Sequence, residues 1–99
     1  MIQTKQDLIQ SIQANREKIL SFGVDRLGLF GSFVRNEMNE KSDVDLLVEF
    51  QPEKKTFRNL FYLADFLEEE TGRKVEVVTK EGLSKYFGPK IIAETEYVL

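Results

Sequence analysis

The chain has 99 residues, 41% of them hydrophobic and 31% charged, and its 14 basic and 17 acidic residues leave a formal net charge of −3. That length suits one compact domain, residues 1–99, and the charge balance provides no global positive field for nucleic acid, so no direct nucleic-acid contact is expected. Histidine and cysteine are both absent, which excludes imidazole acid–base catalysis, Ser-His-Asp and Cys-His nucleophiles, thiolate zinc sites and disulfides, and leaves carboxylates, Lys, Arg, hydroxyls and a hard metal ion for any chemistry.

Thr4-Lys5-Gln6-Asp7 has the form of a capping box, with Thr4 as N-cap. Leu8, Ile9, Ile12, Ile19 and Leu20 follow at helical spacing, interrupted by Asn15 and Arg16, and Gly23 is the expected stop. Arg26 to Phe30 reads as a short buried strand ending at Gly31-Ser32, with a turn or two of helix from Phe33 to about Glu37. Asp43 to Phe50 alternates with period two: Val44, Leu46, Val48 and Phe50 face one way, Asp43, Asp45, Leu47 and Glu49 the other. Pro52 ends that strand. The spacing of Phe57, Leu60, Phe61, Ala64 and Leu67 predicts a helix, with Leu63 and Phe66 widening its apolar side, closed by Gly72. Glu68-Glu69-Glu70 are expected on its solvated face, with Arg73 and Lys74 offsetting some of their repulsion. Lys74 to Thr79 predicts a third strand, with Glu76 on the face opposite Val75 and Val77. Helix is expected over Glu81–Phe87 and from Pro89 to about Tyr97.

These elements run αβαβαβα, an α/β (α+β) arrangement with a small mixed three-stranded sheet covered by helices. Phenylalanines are expected mainly in the core, and Tyr62, Tyr86 and Tyr97 as packing residues with wet hydroxyls. Lys54, Lys55 and Arg58 form a small basic cluster, read as a solvated helix start. No apolar run approaches the roughly 18 residues of a membrane span, and Met1 to Asp7 lacks an apolar signal segment. The expected location is therefore cytoplasmic, with no membrane partner.

The chemistry concentrates on two motifs. Asp43 and Asp45, at i and i+2 on one strand, point to the same face with Cβ atoms some 7 Å apart. Crowded carboxylates repel, and a divalent cation is their natural occupant; the bland reading is a turn aspartate followed by one on a solvated strand face. Gly31-Ser32 offers free backbone N–H groups and a hydroxyl where a buried strand ends, a place suited to a phosphate, or else an ordinary strand-to-helix turn capped by Ser32. Together the two describe a triphosphate site, with donors on the phosphates and carboxylates on the metal that bridges them. Glu76 would join Asp43 and Asp45 if its strand pairs beside theirs, as a metal ligand or as a base; the alternative is an exposed strand charge. Arg35, one turn after Ser32, would steady a phosphate or form a surface ion pair.

With Leu29-Phe30-Gly31-Ser32-Phe33-Val34-Arg35, Ser42-Asp43-Val44-Asp45-Leu46-Leu47-Val48 and Arg73 to Thr79 in place, the sequence resembles the minimal nucleotidyltransferases of the DNA polymerase β-like superfamily. The resemblance runs through Ile91–Val98 and so covers nearly the whole chain. It implies that Gly31 and Ser32 hold the phosphates of ATP, that Arg35 assists, and that Asp43, Asp45 and Glu76 are the catalytic, Mg²⁺-binding carboxylates. Glu76 stands where the family usually has aspartate. Small members of the family resemble antitoxins encoded beside HEPN-domain toxins, which are RNases, and are associated with transfer of AMP from ATP to a toxin tyrosine. The resemblance thus implies an adenylylating antitoxin whose partner presents the acceptor. The rival expectation is a weak or inactive relative that neutralises its partner by stoichiometric binding.

Overall fold

The computed structural model describes residues 1–99. Two short helices open the chain, α1 (Lys5–Ala14) and α2 (Arg16–Ser21). Thr4 Oγ1 accepts the Asp7 N–H at 3.0 Å, satisfying one orphan donor of the first turn. The expected single helix is broken at Asn15, whose side chain donates back to the Ser11 carbonyl at 2.8 Å and so competes with the continuing backbone ladder. Gly23 ends the pair at φ +88°, in the left-handed region.

Strand β1 (Val24–Phe30) pairs antiparallel with β2 (Val44–Phe50), and β2 pairs in parallel with β3 (Val75–Thr79). The long helix α3 (Phe57–Thr71) makes the parallel crossover, capped by Thr56 at one end and by left-handed Gly72 at the other. A short helix α4 (Gly88–Glu94) leads to β4 (Glu96–Tyr97), which pairs antiparallel with β1. The sheet is mixed and four-stranded, in the order β3-β2-β1-β4. Leu8, Ile12, Ile19, Leu27, Leu29, Val44, Leu46, Val48, Leu63 and Leu67 lock one sheet face to α1, α2 and α3 in a single buried cluster. No helix is long and apolar enough to cross a membrane.

Several expectations need correction. The sheet has four strands rather than three, because the predicted terminal helix stops at Glu94 and Thr95 turns the backbone to extended φ −64°, ψ 131°. Gly28 makes room for this: a Cβ there would lie 2.4 Å from Thr95 Cγ2. Residues 81–87 form no α-helix; a 3-10 turn over Lys80–Gly82 is closed instead by Thr79 Oγ1, which accepts the Gly82 N–H. No helix forms over 33–37 either, so β1 and β2 are joined by hydrogen-bonded turns and loop rather than by an α element.

The buried stripe of α3 is Leu63, Leu67 and Thr71, the first two inside the expected apolar arc, whereas Phe57 and Phe61 at its other side are exposed. Of the phenylalanines only Phe33 is fully buried, and Tyr86 lies on the surface. Helical spacing fixes that a face exists, and the wide apolar arc of α3 leaves open which sector turns inward.

Candidate active site

The central strand builds the site. Its alternation sends Val44, Leu46 and Val48 into the core, and turns Asp45, Leu47 and Glu49 to the opposite face. In register, Asp45 lies opposite Phe30 on β1 and Glu76 on β3. Neighbouring strands are about 4.8 Å apart, so Asp45 and Glu76 form a carboxylate pair in the middle of the sheet, and Asp43 sits just before β2 begins. The first residue beyond Phe30 is Gly31, with φ +77°; a Cβ there would stand 2.2 Å from Asp45 Oδ2. Gly31 is thus required twice, by its backbone conformation and by the carboxylate lying against it.

Charge follows from this crowding. Burial first, then repulsion from Glu76 and Asp43, pushes the Asp45 carboxyl up to about 6. The three carboxylates do not converge into a ready-made cage for a metal ion. Their chemistry nevertheless suits a hard divalent cation: all offer carboxylate oxygens, and a cation would relieve the repulsion that keeps Asp45 prone to protonation. Asp43, Asp45 and Glu76 are the residues that would hold it.

The loop Gly31–Glu37 is knitted by backbone bonds from Arg35 N–H to the Gly31 carbonyl at 3.3 Å, and from Glu37 N–H to the Ser32 carbonyl at 2.9 Å. Asn36 takes φ 57°, a left-handed conformation that stops the turn from propagating as helix. Ser32 is therefore a turn residue, not a helix N-cap, and the Gly31 N–H is offered without a helix dipole behind it. Arg35 lies near enough to Asp45 to ease its ionisation slightly. Its guanidinium pairs with Glu37 at 2.6 Å and with Glu94, which raises its already high pKa further, Glu94 contributing most.

Two supporting residues escaped the sequence reading. Arg73, expected to offset the Glu68–Glu70 charges, is instead buried. Its Nε donates to the Ile2 carbonyl at 2.6 Å and its Nη1 to the carbonyls of Asn39 and Ser42 at 2.9 and 2.8 Å. It lies over the Phe33 ring and pins the loop that delivers Asp43. A lone Arg directly after a helix-ending glycine and before a strand is the only trace of this in the sequence. Glu94 is the second: its Oε2 accepts the Gly31 N–H at 2.9 Å, a contact 63 residues apart that no local pattern announces. On the same sheet face, Tyr97 donates to Glu49 at 2.7 Å.

A strand-turn glycine, an acidic pair at the head of the next strand and a third carboxylate in register beside it share one face of a sheet whose other face is covered by helices. The nucleotidyltransferase domain model matches residues 8–99, and the chain belongs to that family; it is a nucleotidyltransferase. The protein adenylyltransferase MntA of Thermococcus cleftensis is 38% identical over 92 residues, spanning 91% of this chain and 92% of that one. A solved structure assigned as a minimal nucleotidyltransferase superposes with a TM-score of 0.72 at 33% identity, covering 89% of this chain and 93% of that chain. The fold also matches a crystal structure of a toxin–antitoxin with AMP-PNP, at TM-score 0.70 and 18% identity, over 88% and 72% of the two chains. The resemblance read from the Gly-Ser and Asp-x-Asp motifs is borne out at the level of family and fold.

Proposed function

We propose that this chain is a Mg²⁺-dependent protein adenylyltransferase that moves AMP from ATP to a hydroxyl, in the first instance a tyrosine, of a cognate HEPN-type toxin and so acts as its antitoxin in the cytoplasm. The observation that carries this reading is the Asp45–Glu76 pair set against Gly31, with Asp43 at the head of the same strand. The similarity to an adenylyltransferase named MntA supports protein as acceptor, and the fold shared with a toxin–antitoxin supports the class of partner.

The bound cation would supply charge neutralisation on the phosphates and at the reacting oxygen. The chain's own residues do the rest. The Gly31 N–H and the Arg35 guanidinium hold phosphate oxygens, and Ser32 lines the turn beside them. Asp43 and Asp45 would hold the cation, and their place beside Gly31 would orient the α-phosphate for in-line attack by the acceptor oxygen. A new bond forms from that oxygen to the α-phosphorus, the bond to the β-phosphate bridge breaks, and pyrophosphate leaves. Glu76, the exposed member of the pair, would take the acceptor's proton or complete the cation's ligand set.

The test is incubation with labelled ATP, Mg²⁺ and the helical protein encoded beside this one. Label on that partner, lost in Asp43→Asn, is the expected result. Neutralisation by equimolar protein without ATP, and with no label transferred, would replace this reading by stoichiometric masking.

A further inference from the structure

The antiparallel register of β4 on β1 sets Tyr97 opposite Gly28 and Glu96 opposite Leu29. Continued by two residues, that register brings Glu94 opposite Gly31, and the side chain completes the approach. Oε2 takes the Gly31 N–H at 2.9 Å while Oε1 pairs with Arg35 Nη1. One anionic group thus spans two donors on its two oxygens, as a phosphate would. Thr95 braces the position by donating its hydroxyl to the Ile91 carbonyl at 2.7 Å, so the end of α4 is held and only the Glu94 side chain need move. The carboxylate is strongly suited to staying ionised here, because the Gly31 N–H and then Arg35 hold its pKa below the ordinary value.

We propose that Glu94 is a built-in occupant of the phosphate cradle, which a nucleotide must displace, so that this residue sets the affinity for triphosphate. The inference rests on the reading of Gly31 and Arg35 as phosphate donors. Any ligand that needs those donors binds only the fraction of molecules in which Glu94 has swung away, and its apparent affinity is reduced by that fraction. With its side chain 23% exposed, Glu94 has solvent to swing into. The cradle is thereby kept satisfied when no nucleotide is present, and weakly bound anions are screened out.

The test is calorimetric titration of the full chain with ATP, with and without Mg²⁺, and with inorganic tripolyphosphate. Glu94→Ala should bind both ligands about 3- to 10-fold more tightly than the wild type. Glu94→Gln, which keeps an acceptor for Gly31 but loses the charge on Arg35, should fall between them and covers the case in which the alanine variant fails to fold. Equal or weaker binding by both folded variants, with the wild type binding ATP, overturns the displacement and makes Glu94 structural or a ligand contact. Absence of ATP binding in the wild type and in both variants overturns the nucleotide reading itself, and the displacement with it. A merely structural glutamate would loosen the site when removed, so tightening is the distinguishing sign.

Discussion

The two faces of β2 are built from one run of backbone and meet opposite fates. Val44, Leu46 and Val48 are wholly buried among α1, α3 and the neighbouring strands, and each is held by packing from several sides. Across the strand, Asp45 is pressed against Gly31 and beside Glu76, in a setting that opposes its own charge. The first face is core along Val44, Leu46 and Val48, whereas the second sets the fully buried Leu47 beside a carboxylate whose charge its surroundings oppose. The proposed chemistry sits where the local energetics are unfavourable, as is common where a site must bind a strongly charged ligand.

The difference is testable first on the charged face. Asp45→Asn removes a charge but no volume, so the fold should survive while AMP transfer falls by on the order of 10³-fold or more, a loss of about 4 kcal/mol in transition-state stabilisation. Asp43→Asn should behave alike. The measurement is the initial rate of label transfer, read beside the far-UV circular dichroism of each variant; transfer within tenfold of the wild type would remove these carboxylates from the mechanism.

One residue further along the strand the sign of the experiment reverses. Leu46→Ala empties part of the core and should cost about 2–5 kcal/mol in urea unfolding. Activity per folded molecule should stay near the wild-type value, because nothing at Asp45 or Gly31 is removed. An inactive but fully stable Leu46→Ala protein would show that the two faces are not separable.

Arg73 links the faces and should show an intermediate effect. Arg73→Met keeps an apolar stem over Phe33 but leaves the carbonyls of Ile2, Asn39 and Ser42 short of a donor, at a cost of about 1–3 kcal/mol. The loop ahead of Asp43 should loosen, seen as faster proteolysis between Asn39 and Ser42 and a higher half-saturating Mg²⁺ concentration. Loss of stability without either change would confine Arg73 to the fold.

The legible part of this molecule follows the same division. Period-two alternation exposed both faces of β2, and the Gly31, Asp43 and Asp45 spacing singled out residues that the structure sets close together, because a strand dictates where successive side chains go. Glu76 joined them once β3 proved to pair in parallel beside β2. What stayed hidden was non-local. β4 is two residues long and exists because Gly28 lets another backbone close in. Glu94 reaches the cradle by way of that pairing. Arg73, an ordinary charge in sequence, is buried because three carbonyls from two distant segments need its donors. Residue preferences over 33–37 are too weak to separate a helical turn from an open one, and the left-handed Asn36 decides against helix.

The smallest expected effect is thermodynamic and isolates Asp45 from its chemistry. In the folded chain its carboxyl titrates at about 6, whereas unfolding returns it toward the ordinary 3.8. Between those values the folded state holds a proton that the unfolded state has released, so folding is favoured at the acid end. That contribution is fully present below about pH 4, is lost as pH rises through about 6, and stays lost above it. Since the group is only partly buried, solvent screening reduces the full linkage value to about 1–2 kcal/mol. Glu94, with its lowered pKa, contributes with the opposite sign, but in the range below its ordinary 4.5. The clean measurement is therefore the difference in unfolding free energy between Asp45→Asn and wild type, taken without divalent cation at about pH 4 and about pH 7. The variant should gain about 1–2 kcal/mol on the wild type over that interval, and Mg²⁺ with ATP should shrink the gain by restoring a reason for Asp45 to be charged. A difference that does not move with pH would mean that Asp45 is not under the charge stress its position beside Glu76 imposes.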